Sequence, residues 1–258
     1  MKLLLKVICL TAVVCAASLA LAVDTPFAGT WKLNLDKSRL VGDTVTFTPA
    51  GEEMRFTGGG ESYAFKTDGS ENKTRFGTAA WKKLDDQTWE EADMVKGRLD
   101  AKVTWTLSGD SKTLTARETG DKPGGGKFDD TSTYVRTAGT HGLAGTWKDR
   151  EYKGSSPSLL VISGAENGLS FEEPDFKMKA SGAFDGKPGN VEGPTIPSGA
   201  SFFLTKVSAR SFKMTRTQSG KPFDHSTWTV SQNGKLLNVV SRTAGTNDPP
   251  TTAVYEKQ

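Results

Sequence analysis

The chain offers two side chains of the type most suited to proton transfer at neutral pH, His141 and His225. His225 follows Asp224, which invites a dyad, but adjacent strand residues point to opposite faces. His141 sits among small residues in "AGTHG" (Ala138–Gly142). Two distant histidines without a cysteine partner lack the spacing of a zinc site. No nucleophile elbow, phosphate loop or dinucleotide fingerprint occurs, and the glycine runs Gly58–Gly60 and Gly124–Gly126 lack the Lys-Ser/Thr that phosphate binding needs. Glu90 and Glu91 are neighbours, so they cannot flank one glycosidic bond. These residues point to no catalytic group, no metal and no cofactor, and hence to a protein that is not an enzyme.

Ligand chemistry has better material. Counting by twos from Trp89 puts Glu91 and Asp93 on its face, and the corresponding face further along carries Phe212, Met214 and Arg216. If that face lines an interior, one part of the chain offers acid, the other a base and a flexible thioether. Buried charge needs a partner, so such residues would mark a wet, functional cavity. The alternative is a bulge that slips the register by one and turns Glu91 to solvent. With Trp105 and Trp228, behind which a cavity would lie, the candidate ligand-binding residues are Trp89, Glu91, Trp105, Phe212, Met214, Arg216 and Trp228.

The elements that must position these residues are strands. In "KVTWTLS", Val103, Trp105 and Leu107 share one face and Thr104 and Thr106 the other, the alternation of a strand with one buried side. "SFKMTRT" repeats it with Phe212 and Met214. Turn residues punctuate the chain at "PAGEE", "TDGSEN", "SGDSK" and "SQNGK". The chain also repeats itself. "FAGTWK" (Phe27–Lys32) returns as "LAGTWK" (Leu143–Lys148), 116 residues on. "TWTLS" (Thr104–Ser108) returns as "TWTVS" (Thr227–Ser231) after 123, which sets Trp89 on Phe212. "TYVR" (Thr133–Arg136) meets "VYEK" (Val254–Lys257) after 121. A unit of this size is a domain rather than a solenoid repeat. The expected boundaries are a first unit at 23–138, a linker at 139–142 and a second unit at 143–258, with one intertwined domain as the alternative.

The opening "MKLLLKVICLTAVVCAASLALA" has the charged start, apolar run and small-residue end of a signal peptide at 1–22, which predicts export to the periplasm or cell exterior. Both cysteines, Cys9 and Cys15, fall inside it, so the remainder must be held by its core rather than by disulfides. Removing Lys2 and Lys6 takes the net charge from +3 to +1. That balance argues against nucleic acid as a partner, and no later segment is apolar enough to span a membrane.

Gly-Thr-Trp at the head of a first strand, here "FAGTWKL" with "VYEK" at the end, resembles the calycin barrels, that is, lipocalins and fatty-acid-binding proteins. "GTWKLNLDKS" and "VYEKQ" are similar to exported bacterial lipocalin-like domains. The resemblance implies an all-β chain of two tandem antiparallel up-and-down β-barrels of about eight to nine strands each. It also implies that a tryptophan seals each barrel floor under a cation from the last strand, pairing Trp31 with Arg136 and Trp147 with Lys257. Fatty-acid-binding proteins hold a carboxylate with Arg-x-Tyr in the last strand; here Tyr134 and Tyr255 are preceded by Ser132 and Ala253, so that mechanism is not expected. The function this implies is an exported, non-enzymatic binding protein for a small apolar or amphipathic ligand. The alternative is a carbohydrate- or protein-interaction module with solid barrels, in which an exposed aromatic such as Trp81 docks a polymer.

Overall fold

The computed structural model describes residues 25–154 and 159–258, so the leader peptide expected at 1–22 lies outside the described residues. The alternating segments form strands. The first unit contributes β1 (Gly29–Leu33), β2 (Thr44–Ala50), β3 (Glu53–Gly58), β4 (Glu61–Phe65), β5 (Asp68–Lys73), β6 (Thr78–Lys83), β7 (Thr88–Val95), β8 (Arg98–Leu107), β9 (Thr113–Asp121) and β10 (Lys127–Ala138). The second contributes β11 (Gly145–Lys153), β12 (Leu159–Ala165), β13 (Gly168–Glu173), β14 (Met178–Ala183), β15 (Asn190–Glu192), β16 (Ala200–Ser208), β17 (Ser211–Gln218), β18 (Lys221–Val230), β19 (Leu236–Thr243) and β20 (Thr251–Lys257).

These strands make two nearly closed antiparallel barrels of ten strands each, a little more than eight to nine. The surplus comes from strands without an apolar signature. "TDGSEN", which reads as a turn, is largely β5, whose side chains are almost all exposed and which is held by its pairing to β6. β15 has three residues.

The barrels are not the two sequence units. The first barrel runs β4-β3-β2-β11-β10-β9-β8-β7-β6-β5, and the second β15-β14-β13-β12-β1-β20-β19-β18-β17-β16. Each unit lends its opening strand to the other. β1 lies between β12 and β20, with Trp31 opposite Leu160 and Lys257. β11 lies between β10 and β2, with Trp147 opposite Arg136 and Val45. The boundaries at 138 and 143 therefore divide the sequence repeat without separating the barrels. The physical cause is the connection. Only six residues join Ala138 to Gly145, so β11 folds back on β10 as a hairpin, the shortest loop closure open to it. The vacancy this leaves beside β12 and β20 is filled by β1, whose Gly-Thr-Trp-Lys is identical.

The exchange also corrects the floor pairs. Arg136 stacks on Trp147, its guanidinium carbon 3.9 Å from the ring centre, and Lys257 lies 5.2 Å over Trp31. Each indole N–H donates to a carbonyl four residues back, Trp31 to Phe27 at 2.8 Å and Trp147 to Leu143 at 3.0 Å. The glycine of the motif makes room for the cation. At Gly29 (φ +140°) a Cβ would sit 2.5 Å from Lys257 Cε, and at Gly145 (φ +149°) 2.6 Å from Arg136 Nη1. Gly-Thr-Trp is thus a conformational and steric unit, and both copies use it alike.

Cores fill the closed ends. In the first barrel Phe65 stacks on Trp81 (4.3 Å, 25°) and Trp81 on Trp105 (5.8 Å, 23°). In the second, Phe212 stacks on Trp228 (5.4 Å, 16°) and meets Phe27 edge-on. The barrels also touch each other. Asp248 of the β19–β20 loop accepts from the Thr44 hydroxyl at 2.6 Å, Lys122 pairs with Asp175 at 3.0 Å, and Phe76 meets Phe223 at 5.2 Å.

Candidate functional site

A cavity of about 810 Å³ opens between the barrels and is lined from both. β7 presents Trp89, Glu91 and Asp93 inward, with no slip of register along that face. Trp89 and Glu91 are buried and Asp93 is half-buried at the mouth. Trp89 pairs across the sheet with Trp105 at the packed end, while Glu91 and Asp93 face the cavity.

Two aromatic side chains bond Glu91, and a third braces one of them. The Tyr63 hydroxyl donates to Oε1 at 2.8 Å, the Trp105 indole N–H donates to Oε2 at 2.9 Å, and the Trp81 indole N–H donates to the Tyr63 hydroxyl at 3.2 Å. These bonds favour the ionised carboxylate, yet burial and the nearby Asp93 prevail and push Glu91 well above the usual carboxylate range. Asp93 is raised in the same way by burial, then by Glu118, Glu61 and Asp100. Glu61 and Asp100 are raised chiefly by burial; an N–H of Arg75 partly offsets this for Glu61, and the Thr195 side chain for Asp100. This wall of the cavity is a group of carboxyls whose proton affinities are all raised, chiefly by burial.

The second barrel supplies a different wall. Phe171, Met214, Trp228 and Val239 line it with carbon and sulfur, and the Trp228 indole is tied to Ser226 Oγ at 2.9 Å. At its rim Arg216 pairs with buried Asp224 at 3.2 Å and lies 5.2 Å over the Phe223 ring. Glu173 lies close enough to Arg216 for the guanidinium to temper a proton affinity raised by burial. Tyr255 also faces the cavity, its hydroxyl pushed up to about 12, chiefly by burial.

Of the seven ligand-binding candidates, Glu91, Met214, Arg216 and Trp228 line the cavity, whereas Trp89, Trp105 and Phe212 pack beneath it. The cavity thus reaches Trp228 but not Trp105, whose side of the first barrel is closed by stacked rings. Trp81 is wholly buried, so it presents no face to a polymer, and among the described residues the exposed large apolar ones are aliphatic: Leu84, Leu99, Val135, Val207 and Val240. His225 points outward with Nδ1 3.1 Å from Thr215 Oγ1 while Asp224 points inward, as alternation requires. Sequence reasoning missed Glu61, Tyr63, Asp100 and Gln218. The first two were within reach, because Glu61, Tyr63 and Phe65 alternate on β4 as Trp89, Glu91 and Asp93 do on β7. Asp100 is the residue skipped in the register shift between β7 and β8, between Leu99 and Ala101, which breaks that count.

Among the described residues no helix is long and apolar enough to cross a membrane. No known protein family and no curated protein matches the chain. The geometry of the two barrels is compatible with a lipocalin-like fold.

Proposed function

We propose that this chain is an exported, non-enzymatic binding protein of lipocalin-like type that holds one small amphipathic molecule between its two barrels. The observation that carries this reading is the cavity of about 810 Å³, which falls within the size range of small-molecule sites and sets an apolar wall on the second barrel against a carboxyl-rich wall on the first. The packing contributes as well. Stacked rings close the inner end of each barrel, so space is left at the facing mouths rather than along either axis. Among the described residues no histidine lines this space, and Glu91, the buried carboxyl of the first barrel's wall, is held by the Tyr63 hydroxyl and the Trp105 indole, which suits holding a ligand better than transforming it.

Titration with Nile red, a neutral dye that brightens in apolar surroundings, tests the reading. One saturable site whose filling also quenches tryptophan emission is expected, with Trp228 as the reporting residue. Met214→Trp, which fills the apolar wall, should weaken dye binding by about tenfold or more while the protein still folds. A folded protein that takes up no dye would remove the proposal.

A further inference from the structure

The geometry points to a ligand with a protonated amine head, seated against Glu61, Glu91, Asp93 and Asp100, and an apolar body lodged along Phe171, Met214 and Trp228. This rests on the cavity being a ligand site and names the chemistry of its occupant. The first ground is charge. Seven carboxylic acids line the cavity against one guanidinium, in a chain whose overall charge is +3, or +1 without residues 1–22. The cavity is therefore far more acidic than the molecule as a whole. The guanidinium, Arg216, is engaged with Asp224 and near Glu173, on the second-barrel side. None of Glu61, Glu91, Asp93 and Asp100 takes part in an ion pair among the described residues; Arg75, whose charge tempers the proton affinity of Glu61 and whose backbone N–H donates to it at 2.8 Å, lines an adjoining groove that Glu61 and Gln218 also border.

The second ground is independent of the carboxyls. Gln218 lines the same cavity and is 6% exposed. Its Nε2 donates to the Ser198 carbonyl at 2.7 Å, which fixes the orientation of the amide, and its Oε1 meets no donor among the described residues. A buried acceptor without a donor is costly and calls for a partner. Around Glu91, Asp93 and Asp100 the wall thus offers acceptors with no ion-paired cation among the described residues, and the complementary group is a hydrogen-bond donor with positive charge. No three of these acids converge as metal ligands among the described residues, so the cation is organic rather than a bare ion. An ammonium arriving among protonated carboxyls favours their ionisation, so binding expels a proton to solvent.

Three probes that share one alkyl chain, n-decylammonium, n-decanol and n-decanoate, would be used to displace Nile red at neutral pH, with calorimetry in buffers of differing ionisation heat to count protons. Decylammonium is expected to bind at least about tenfold more tightly than the other two and to release a proton. Asp93→Asn, which loses no hydrogen bond made in the free protein, should erase most of that preference; Glu91→Gln should act likewise, and if it fails to fold the first variant decides. Equal binding of the three probes, or preference for decanoate, would overturn the amine head and leave the cavity reading intact. Failure of the dye and all probes to bind a folded protein would overturn both.

Discussion

At Trp147 one guanidinium does several things at once. Arg136 lies on the indole face and donates to the carbonyls of Ser111, Gly142 and Ala144 at 2.6–2.7 Å, so it fastens the inter-unit linker as it seals the floor. Lys257 on Trp31 is more distant and has no comparable set of carbonyls. Arg136→Ala should therefore cost about 2–3 kcal/mol and Lys257→Ala less than about 1 kcal/mol, read from urea denaturation. Charge in the cavity gives a second expectation. Glu91 and Asp93 face Tyr63 and Glu61 from β4, Trp105 and Asp100 from β8, and Glu118 from β9, and both hold protons more tightly folded than unfolded. Unfolded, they ionise in the ordinary range near pH 4. Their contribution to stability is complete below that range and falls as pH rises toward neutrality, by up to about 1.4 kcal/mol per pH unit for each carboxyl, until the folded form ionises too. Unfolding midpoints between about pH 5 and pH 8 should decline, and the decline should be shallower in Asp93→Asn.

At the scale of elements, β1 is the strand whose loss should be most informative. It brings Trp31 to the core of a barrel made otherwise of the second unit, and Phe27 just ahead of it packs on Phe212. A chain lacking residues 25–33 should keep a folded first barrel and expose apolar surface in the second. A synthetic peptide of residues 25–33 added in trans should restore it by strand addition, seen as quenching of a surface-binding dye. The same strand shows what can be learned from letters alone. The alternation around Trp89, Trp105 and Phe212 reveals inward faces, because burial on one side of a strand imposes a period of two. The repeat at 116, 123 and 121 residues reveals two like units, and the residues it aligns make like cross-strand pairs, Trp89 with Trp105 and Phe212 with Trp228. Which opening strand enters which barrel is not encoded in the strands, since Gly-Thr-Trp-Lys fits either slot. It is decided by the length of the linker, a property of the connection. β5 escaped for the opposite reason: it buries almost nothing, so burial leaves no mark on its sequence. The cavity lay further out of reach, because Glu61 and Gln218 line it from different barrels, across an interface that no local pattern reports.

On the scale of the whole molecule, reciprocal exchange makes each barrel depend on both halves of the chain. It also brings the ends of the described fold together, for the Gln258 amide donates to the Thr30 carbonyl at 2.9 Å, beside the Lys257–Trp31 contact. That meeting of β20 and β1 is the counterpart of the meeting of β10 and β11, which a short linker closes covalently. In effect the polypeptide is a circle with a single break, and the break sits at one of two equivalent seams. A permuted chain opened within 139–142, with Gln258 bridged to Thr25 by a short flexible segment, should trace the same circle. Its circular dichroism should match that of the parent, and its unfolding midpoint should differ only by what Arg136 loses when the segment it fastens becomes a free end.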